Sequence, residues 1–217
     1  NAFVPKQKLN EFRRNVYEKI YAIKTENNNK KLNKIKVDTN VLTKGFEDFE
    51  ITQNSSEIYH NKNVVYSPKI YDISDIQNFV KNCFKQNKVP YLDTPNFALK
   101  NDIETLKNII EKTHISIVAN NYYALAFLAQ KVAGVELNVF NNISANVLNM
   151  PVVCAEGEGF PKMQAPFMTL RHCPMKSHLH ANCSNCPYHE GYYYVLESGK
   201  TLRLTRKKLS TCTFYLE

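Results

Sequence analysis

No apolar run in this 217-residue chain approaches the roughly 20 residues that a membrane-crossing helix needs. The opening Asn1-Ala2-Phe3-Val4-Pro5 lacks a charged stretch followed by a hydrophobic one, so no secretory leader is read there. These absences lead us to expect a soluble, cytoplasmic chain with no membrane partner. Also missing are the Gly-x-Ser-x-Gly elbow, the His-Glu-x-x-His helix and a glycine-rich loop that grips phosphate. Glu156-Gly157-Glu158-Gly159 is too acidic to serve as such a loop. A conventional hydrolase centre is therefore not visible.

What the chain does have is the capacity to build a core. With 43% hydrophobic and 12% aromatic residues it is not a disordered protein, and its length suits one domain or a domain with a small appendage. It starts with Asn rather than Met, abruptly before a helix, which leads us to expect a piece of a longer protein. A formal charge of +8 and a pI near 9.1 attract phosphates, and nucleic acid is the commonest polyanionic partner. The run Asn27-Asn28-Asn29-Lys30-Lys31 supports a blander account, a Lys and Asn bias that says nothing about partners.

Four of the six cysteines, Cys173, Cys183, Cys186 and Cys212, fall near the C-terminal end, with His172, His178, His180 and His189 among them. A Cys-x-x-Cys pair brings two sulfurs to one cation without strain, and two flanking cysteines complete a four-thiolate shell. Zinc would be purely structural there, whereas a 4Fe–4S cluster would serve redox chemistry or substrate activation; spacing does not separate the two. A histidine of the set could replace one thiolate. An even cysteine count also allows disulfides. Cys83 on a helical face and Cys154 in an apolar run instead read as buried free thiols, which favours reduced cysteines and a metal site.

Along the chain, Leu9, Phe12, Val16, Ile20 and Ile23 recur at helical spacing over residues 8–23, before an Asn/Lys-rich linker at 24–34. Strand-like runs follow at 35–37, 63–66, 89–92, 115–118, 137–140 and 151–154. Helices are expected between several of them. One covers about 72–86, capped by Asp72 or Ser74; others cover about 101–112 and about 122–132, the last presenting Leu125, Leu128, Ala129 and Val132. This alternation predicts an α/β fold with a parallel sheet, most simply part of a (β/α) barrel. The rhythm stops after Pro161. A hairpin is expected from Tyr192-Tyr193-Tyr194-Val195-Leu196 through a turn at 197–200 to Thr201-Leu202-Arg203-Leu204. The domains so read are 1–34, a barrel-like body at 35–165, and a Cys-rich metal-binding tail at 166–217.

Ligand sites in parallel α/β folds gather at the strand C-termini. The polar residues just past the expected strands are Asp38, Ser67, Asp93, Asn120, Asn121, Asn141, Asn142 and Glu156. Of these, Asp93, Asn120, Asn141 and Glu156 are the catalytic candidates. Asp93 and Glu156 could form a carboxylate pair, whereas the amides suit orienting a substrate or capping the next helix. In the hairpin and its exit, Tyr192 and Tyr194 lie near Lys200, Arg203, Arg206, Lys207 and Lys208. Cations beside aromatic faces are what single-stranded RNA sites use; a solvated basic strand backed by core tyrosines is the plainer account.

Three stretches together resemble the collagenase-like peptidase family designated U-32. Phe3-Val4-Pro5-Lys6-Gln7-Lys8-Leu9-Asn10-Glu11-Phe12-Arg13-Arg14 resembles the end of the family's collagenase-type insert, and Leu137-Asn138-Val139-Phe140-Asn141 its strand motif. Pro166-Phe167-Met168-Thr169-Leu170-Arg171-His172-Cys173-Pro174, with Cys183, Cys186 and Cys212, is similar to the family's C-terminal cysteine signature. The resemblance implies the C-terminal portion of a longer member, partnered by its own N-terminal part. It implies either a protease of collagen-like substrates or an enzyme of tRNA, rRNA or quinone hydroxylation with a 4Fe–4S cluster on those four cysteines. A non-catalytic, zinc-braced interaction domain is a third alternative.

Overall fold

A computed structural model describes residues 11, 14–19, 22, 49–139, 141–153, 166–180, 182, 183, 186, 193–197 and 199–216. The expected strand at 35–37, the linker at 24–34, Phe140, Cys154, Glu156, His189 and Tyr192 lie outside these residues. The chain divides into two units, residues 1–38 and 39–217. In the first, residues 14–19 form a helix, α1, with exposed side chains.

The second unit contains two sheets. β1 (Phe49–Thr52), β2 (Asn63–Tyr66), β3 (Val89–Asp93), β4 (Ser116–Ala119) and β5 (Lys131–Ala133) lie in chain order in one sheet, every pair parallel. Parallel neighbours need crossovers, and α2 (Ile73–Lys85) and α3 (Lys100–Thr113) supply two of them. α2 starts where Asp72 accepts hydrogen bonds from the backbone N–H of Ser74 (2.9 Å) and Asp75 (3.0 Å). It buries Ile76, Phe79, Val80 and Cys83, with Phe79 stacked on Tyr66 of β2 at 4.7 Å between ring centroids. α3 ends at His114, whose left-handed backbone (φ 53°) closes the last turn.

Strand alternation divides the core in two. Val64, Tyr66, Leu92, Ile117, Ala119 and Ala133 face the helices, while Val65, Tyr91, Val118 and Val132 form a second cluster on the other face with Val135 and Val153. Among the described residues the sheet is open: β1 and β5 are edges, and no barrel closes.

Past β4 the architecture departs from the sequence expectation. The helix expected at 122–132 is only a 3-10 turn, η1 (Tyr122–Ala126), and Val132 belongs to β5. The apolar spacing misled because Leu128 is fully exposed, while Gln130 C=O accepts from Ile117 N–H (2.9 Å) and draws the chain into the sheet. Nor do residues 137–139 of the expected strand at 137–140 form one. Leu137 ends a second 3-10 turn, η2 (Val135–Leu137), and Asn138 turns into the left-handed region (φ 58°), which breaks any ladder. Of the 151–154 run, the described residues form only an isolated bridge from Val152 to Ala133, after α4 (Asn142–Leu148).

The second sheet is antiparallel: β6 (Met168–Leu170), β7 (Tyr193–Glu197), β8 (Lys200–Lys208) and β9 (Cys212–Leu216), in spatial order β6-β9-β8-β7. A short helix, α5 (Pro174–His178), follows β6. The sheet is tied to the parallel body at several points. Lys208 exchanges backbone hydrogen bonds with Lys69 (2.8 Å) and Tyr71 (3.0 Å), and Asp102 of α3 grips the β8–β9 turn. Asp102 is only 2% exposed and accepts from the N–H of Ser210 (2.9 Å) and Leu99 (2.9 Å) and from the hydroxyls of Ser210 and Thr211.

Candidate functional site

Because β2, β3 and β4 are parallel neighbours, their C-termini deliver Ser67, Asp93 and Asn120 side by side. Asp93 is the hub. Its Oδ2 accepts from Ser67 Oγ (2.7 Å) and from Lys207 Nζ (2.5 Å), and its Oδ1 accepts from Asn120 Nδ2 (2.6 Å). Tyr71 donates its hydroxyl to the Asp93 carbonyl (2.6 Å). Lys207 arrives from β8 and lies 5.2 Å above the ring of Tyr215 on β9. Both ends of the ion pair are under one-fifth exposed (17% and 16%), so removing either would strand a largely desolvated charge.

Asn120 is held as firmly as Asp93. Its Nδ2 also donates to the Thr94 carbonyl (2.7 Å), and its side chain fills the space beside Gly134, where a Cβ would lie 2.0 Å from Asn120 Oδ1. Two candidates thus meet, Asp93 and Asn120. Asn141 does not join them: it accepts from Ser144 N–H (2.9 Å) as the cap of α4.

Glu136 of η2 lies within electrostatic reach of the centre. Burial first, then the charge of Asp93, raises the Glu136 carboxyl to about 7, against the opposing pull of Lys207 and of a hydrogen-bonding contact with Asn96. Tyr215 is pushed up by burial and by the charges of Glu136 and Asp93. Asn96 is anchored through Nδ2 to Thr169 Oγ1 of β6 (2.7 Å). One ion-paired carboxylate, a second carboxyl poised near neutrality, an ammonium and a phenol together can orient a polar group and exchange a proton with it. At the same sheet edge, a cleft of about 650 Å³ is lined by Thr52, Tyr66, Lys69 and Asp75 among others.

The register of the antiparallel sheet sorts its side chains. Lys207 is opposite Thr213, Thr205 opposite Tyr215, and Tyr215 opposite Thr169, so these share the face that carries Lys207 to Asp93. Lys208 opposite Cys212 and Arg206 opposite Phe214 occupy the other face. Of the cations expected along an RNA strand, Arg206 is buried (7% exposed) and Lys207 is engaged by Asp93. Arg203 and Lys208 are half-buried, and Tyr194 and Lys200 fall in β7 and β8.

Cys212 lies on that other face. Burial raises its thiol; Arg206 and Lys208 lower it, and the charges of Cys173 and Cys186 raise it further. Cys183 is exposed, and all four are free thiols. The donor set suits a soft metal, since thiolates prefer zinc and iron–sulfur centres. Among the described residues, however, no group of three or more His, Cys, Asp or Glu side chains has the geometry to hold an ion. His172 is occupied with Ser177 Oγ (2.8 Å). Cys83 is distinct, a core thiol that burial lifts to about 12.

Glu136, Asn96, Tyr71 and Tyr215 escaped the sequence reading. Glu136 belongs to the apolar Gly134-Val135-Glu136-Leu137, where a lone acid among buried neighbours was the available signal. Comparison with known protein families, with curated proteins and with solved structures finds no match. No described helix is long and apolar enough to cross a membrane.

Proposed function

We propose that this chain is the C-terminal region of a longer, cytoplasmic collagenase-like peptidase-family protein whose activity is hydroxylation-type modification of RNA. In this reading Cys173, Cys183, Cys186 and Cys212 hold a 4Fe–4S cluster or zinc, and Asp93, Asn120, Lys207 and Glu136 handle a polar group of the substrate. The observation that carries it is the division of one small sheet. Its near face gives Lys207 and Tyr215 to the strand-end centre, and on its far face Cys212 is influenced by Cys173 and Cys186. A bound cluster would supply redox chemistry or substrate activation; zinc would brace the tail. This chain's own residues orient: Lys207 fixes Asp93, Asn120 holds its other oxygen, and Glu136 keeps an exchangeable proton nearby.

The test is a metal and labile-sulfide analysis of anaerobically prepared protein with a visible spectrum, beside mass spectrometry of RNA from a deletion strain. Iron with sulfide and a missing RNA modification are expected. Absence of both iron and sulfide, with unaltered RNA, refutes the reading.

The electrostatic coupling of Asp93 to Glu136 favours a second reading, a peptidase of collagen-like substrates, because an ion-paired carboxylate and a carboxyl raised to about 7 together can run acid–base hydrolysis. It expects gelatin cleavage by the full-length protein that survives stringent purification and disappears in Glu136→Gln.

A further inference from the structure

Arg171 follows β6 and lies across the loop that leaves β3. Its guanidinium carbon stands 4.2 Å from the centroid of the Phe97 ring, a stacked cation–π contact. The Asn96–Thr169 hydrogen bond (2.7 Å) already joins loop to strand, so the fold brings the pair together and the stack is not needed as a staple. Nε and Nη1 of Arg171 are buried, and among the described residues they have no hydrogen-bond partner and the cation has no carboxylate beside it. A charge covered on one side and left unbalanced is costly. Arg171 as a whole is only half-buried, so an anion can approach its delocalised charge from the solvent side.

The surroundings of the pair are aromatic. Phe97 keeps 44% of its surface open with the cation on it, and Phe167, just ahead of β6, is 71% exposed. Tyr122, 70% exposed, follows Asn121, whose Nδ2 donates to the Asn96 carbonyl (2.6 Å). A purely anionic partner has no use for open rings, and a purely apolar one has none for the cation. A nucleotide brings both in one unit, a phosphate and a flat base. The charge of the chain, +8, has the matching sign. On the hairpin, by contrast, Arg206 is buried and Lys207 is bound to Asp93.

We propose that Arg171 and Phe97 form a docking site for one nucleotide of single-stranded RNA, the phosphate on the guanidinium and the base stacked on the open surface of Phe97. Asp93 ends β3 and Phe97 lies in the loop that follows, so a strand held here lies next to the strand-end centre. The choice of RNA rests on the reading of the chain as part of an RNA-modifying protein; the nucleotide chemistry rests on the pair itself. A duplex is excluded because its bases stack on one another and present no free face.

Fluorescence anisotropy of the full chain with a short labelled oligo(U) RNA tests this, with the matching DNA strand, an RNA duplex and polyglutamate as competitors. Phe97→Leu and Arg171→Ala should each weaken RNA binding roughly 5- to 150-fold, the range that loss of base stacking spans. Arg171→Ala should also flatten the dependence of log affinity on log salt by about 0.7, one phosphate contact. Arg171→Lys keeps the charge without the plane, and should restore that slope but only part of the affinity. Lys107→Ala removes an exposed cation (64%) on α3 and should leave binding nearly unchanged. Equal losses for Lys107→Ala and Arg171→Ala, or polyglutamate or duplex competing as well as the single strand, overturn the proposal. DNA bound as tightly as RNA overturns the assignment to RNA. Phe97→Leu alters a half-exposed side chain, so a folded variant that still binds in full is decisive against the site. Binding needs no turnover: undiminished binding in the variants with the modification missing from the deletion strain removes this inference alone, and the converse removes the functional reading alone.

Discussion

Replacing Gly134 by alanine should break the strand-end centre from behind. The backbone at Gly134 has φ −92°, a conformation open to any residue, so the penalty comes entirely from space. The new Cβ would stand 2.0 Å from Asn120 Oδ1 and 2.7 Å from Val118 Cγ1, and the peptide is pinned by its N–H on Ala119 O (2.9 Å). Asn120 therefore has to leave, giving up its bonds to Asp93 (2.6 Å) and to the Thr94 carbonyl (2.7 Å). Overpacking a core costs about 1–3 kcal/mol, and a buried polar group left unsatisfied about 1–3 kcal/mol more. A loss of about 2–6 kcal/mol is a large share of the roughly 5–15 kcal/mol that stabilises a domain. Urea unfolding measures it as a lower midpoint at unchanged slope. Asn120→Ala removes the closer clash and leaves only Val118 Cγ1, so Gly134→Ala should cost clearly less in that background than alone, a coupling that neighbouring residues show. If Gly134→Ala costs under about 1 kcal/mol alone, or the two substitutions simply add, Asn120 is not held as described.

Asp102→Asn should destabilise the protein by about 1–3 kcal/mol, because the amide cannot accept from donors on both sides. Burial opposes ionisation of Asp102, but the hydrogen bonds from Ser210, Leu99 and Thr211 outweigh it and hold the carboxyl below its usual range. A depressed carboxyl stabilises above the unfolded value of about 3.9 and loses that contribution as pH falls through the folded one. The advantage over Asp102→Asn should therefore shrink below about pH 4, and an advantage constant down to pH 2 would contradict this. Leu128→Ser should change stability by less than about 0.5 kcal/mol, whereas Val132→Ala should cost about 2 kcal/mol; equal effects would restore the helix in place of β5. On the proposed metal reading, Cys183→Ser should lower the metal bound per chain in elemental analysis while Cys83→Ser should leave it intact and only loosen the core, and equal effects would contradict that reading.

Local signals read correctly where they agreed with one another. Around α2, the Asp72 cap and the apolar stripe of Ile76, Phe79, Val80 and Cys83 point to the same helix, and the helix is there. Around 122–132 the stripe came without an acidic first turn, and pairing of β4 with the chain at Gln130 overrode it. Asp93 and Asn120 were legible because strand polarity alone brings residues after parallel strands together. Lys207 was noticed for its charge but not for its destination, since 114 residues separate it from Asp93 and no local pattern encodes that pairing. Glu136 was missed because its neighbours read as the approach to a strand, and a short 3-10 turn leaves little periodicity.

That span has a consequence for the order of assembly. The parallel strands and their helices arise from contacts close in the chain and can form early during synthesis, whereas Asp93 waits for Lys207, and α3 waits for Ser210 to engage Asp102. A nascent chain halted before β8 would carry Asp93, Ser67 and Asn120 already aligned but with no ammonium to balance the charge. The charge at Asp93 is thus balanced only once β8 has been made, long after the residues that align it.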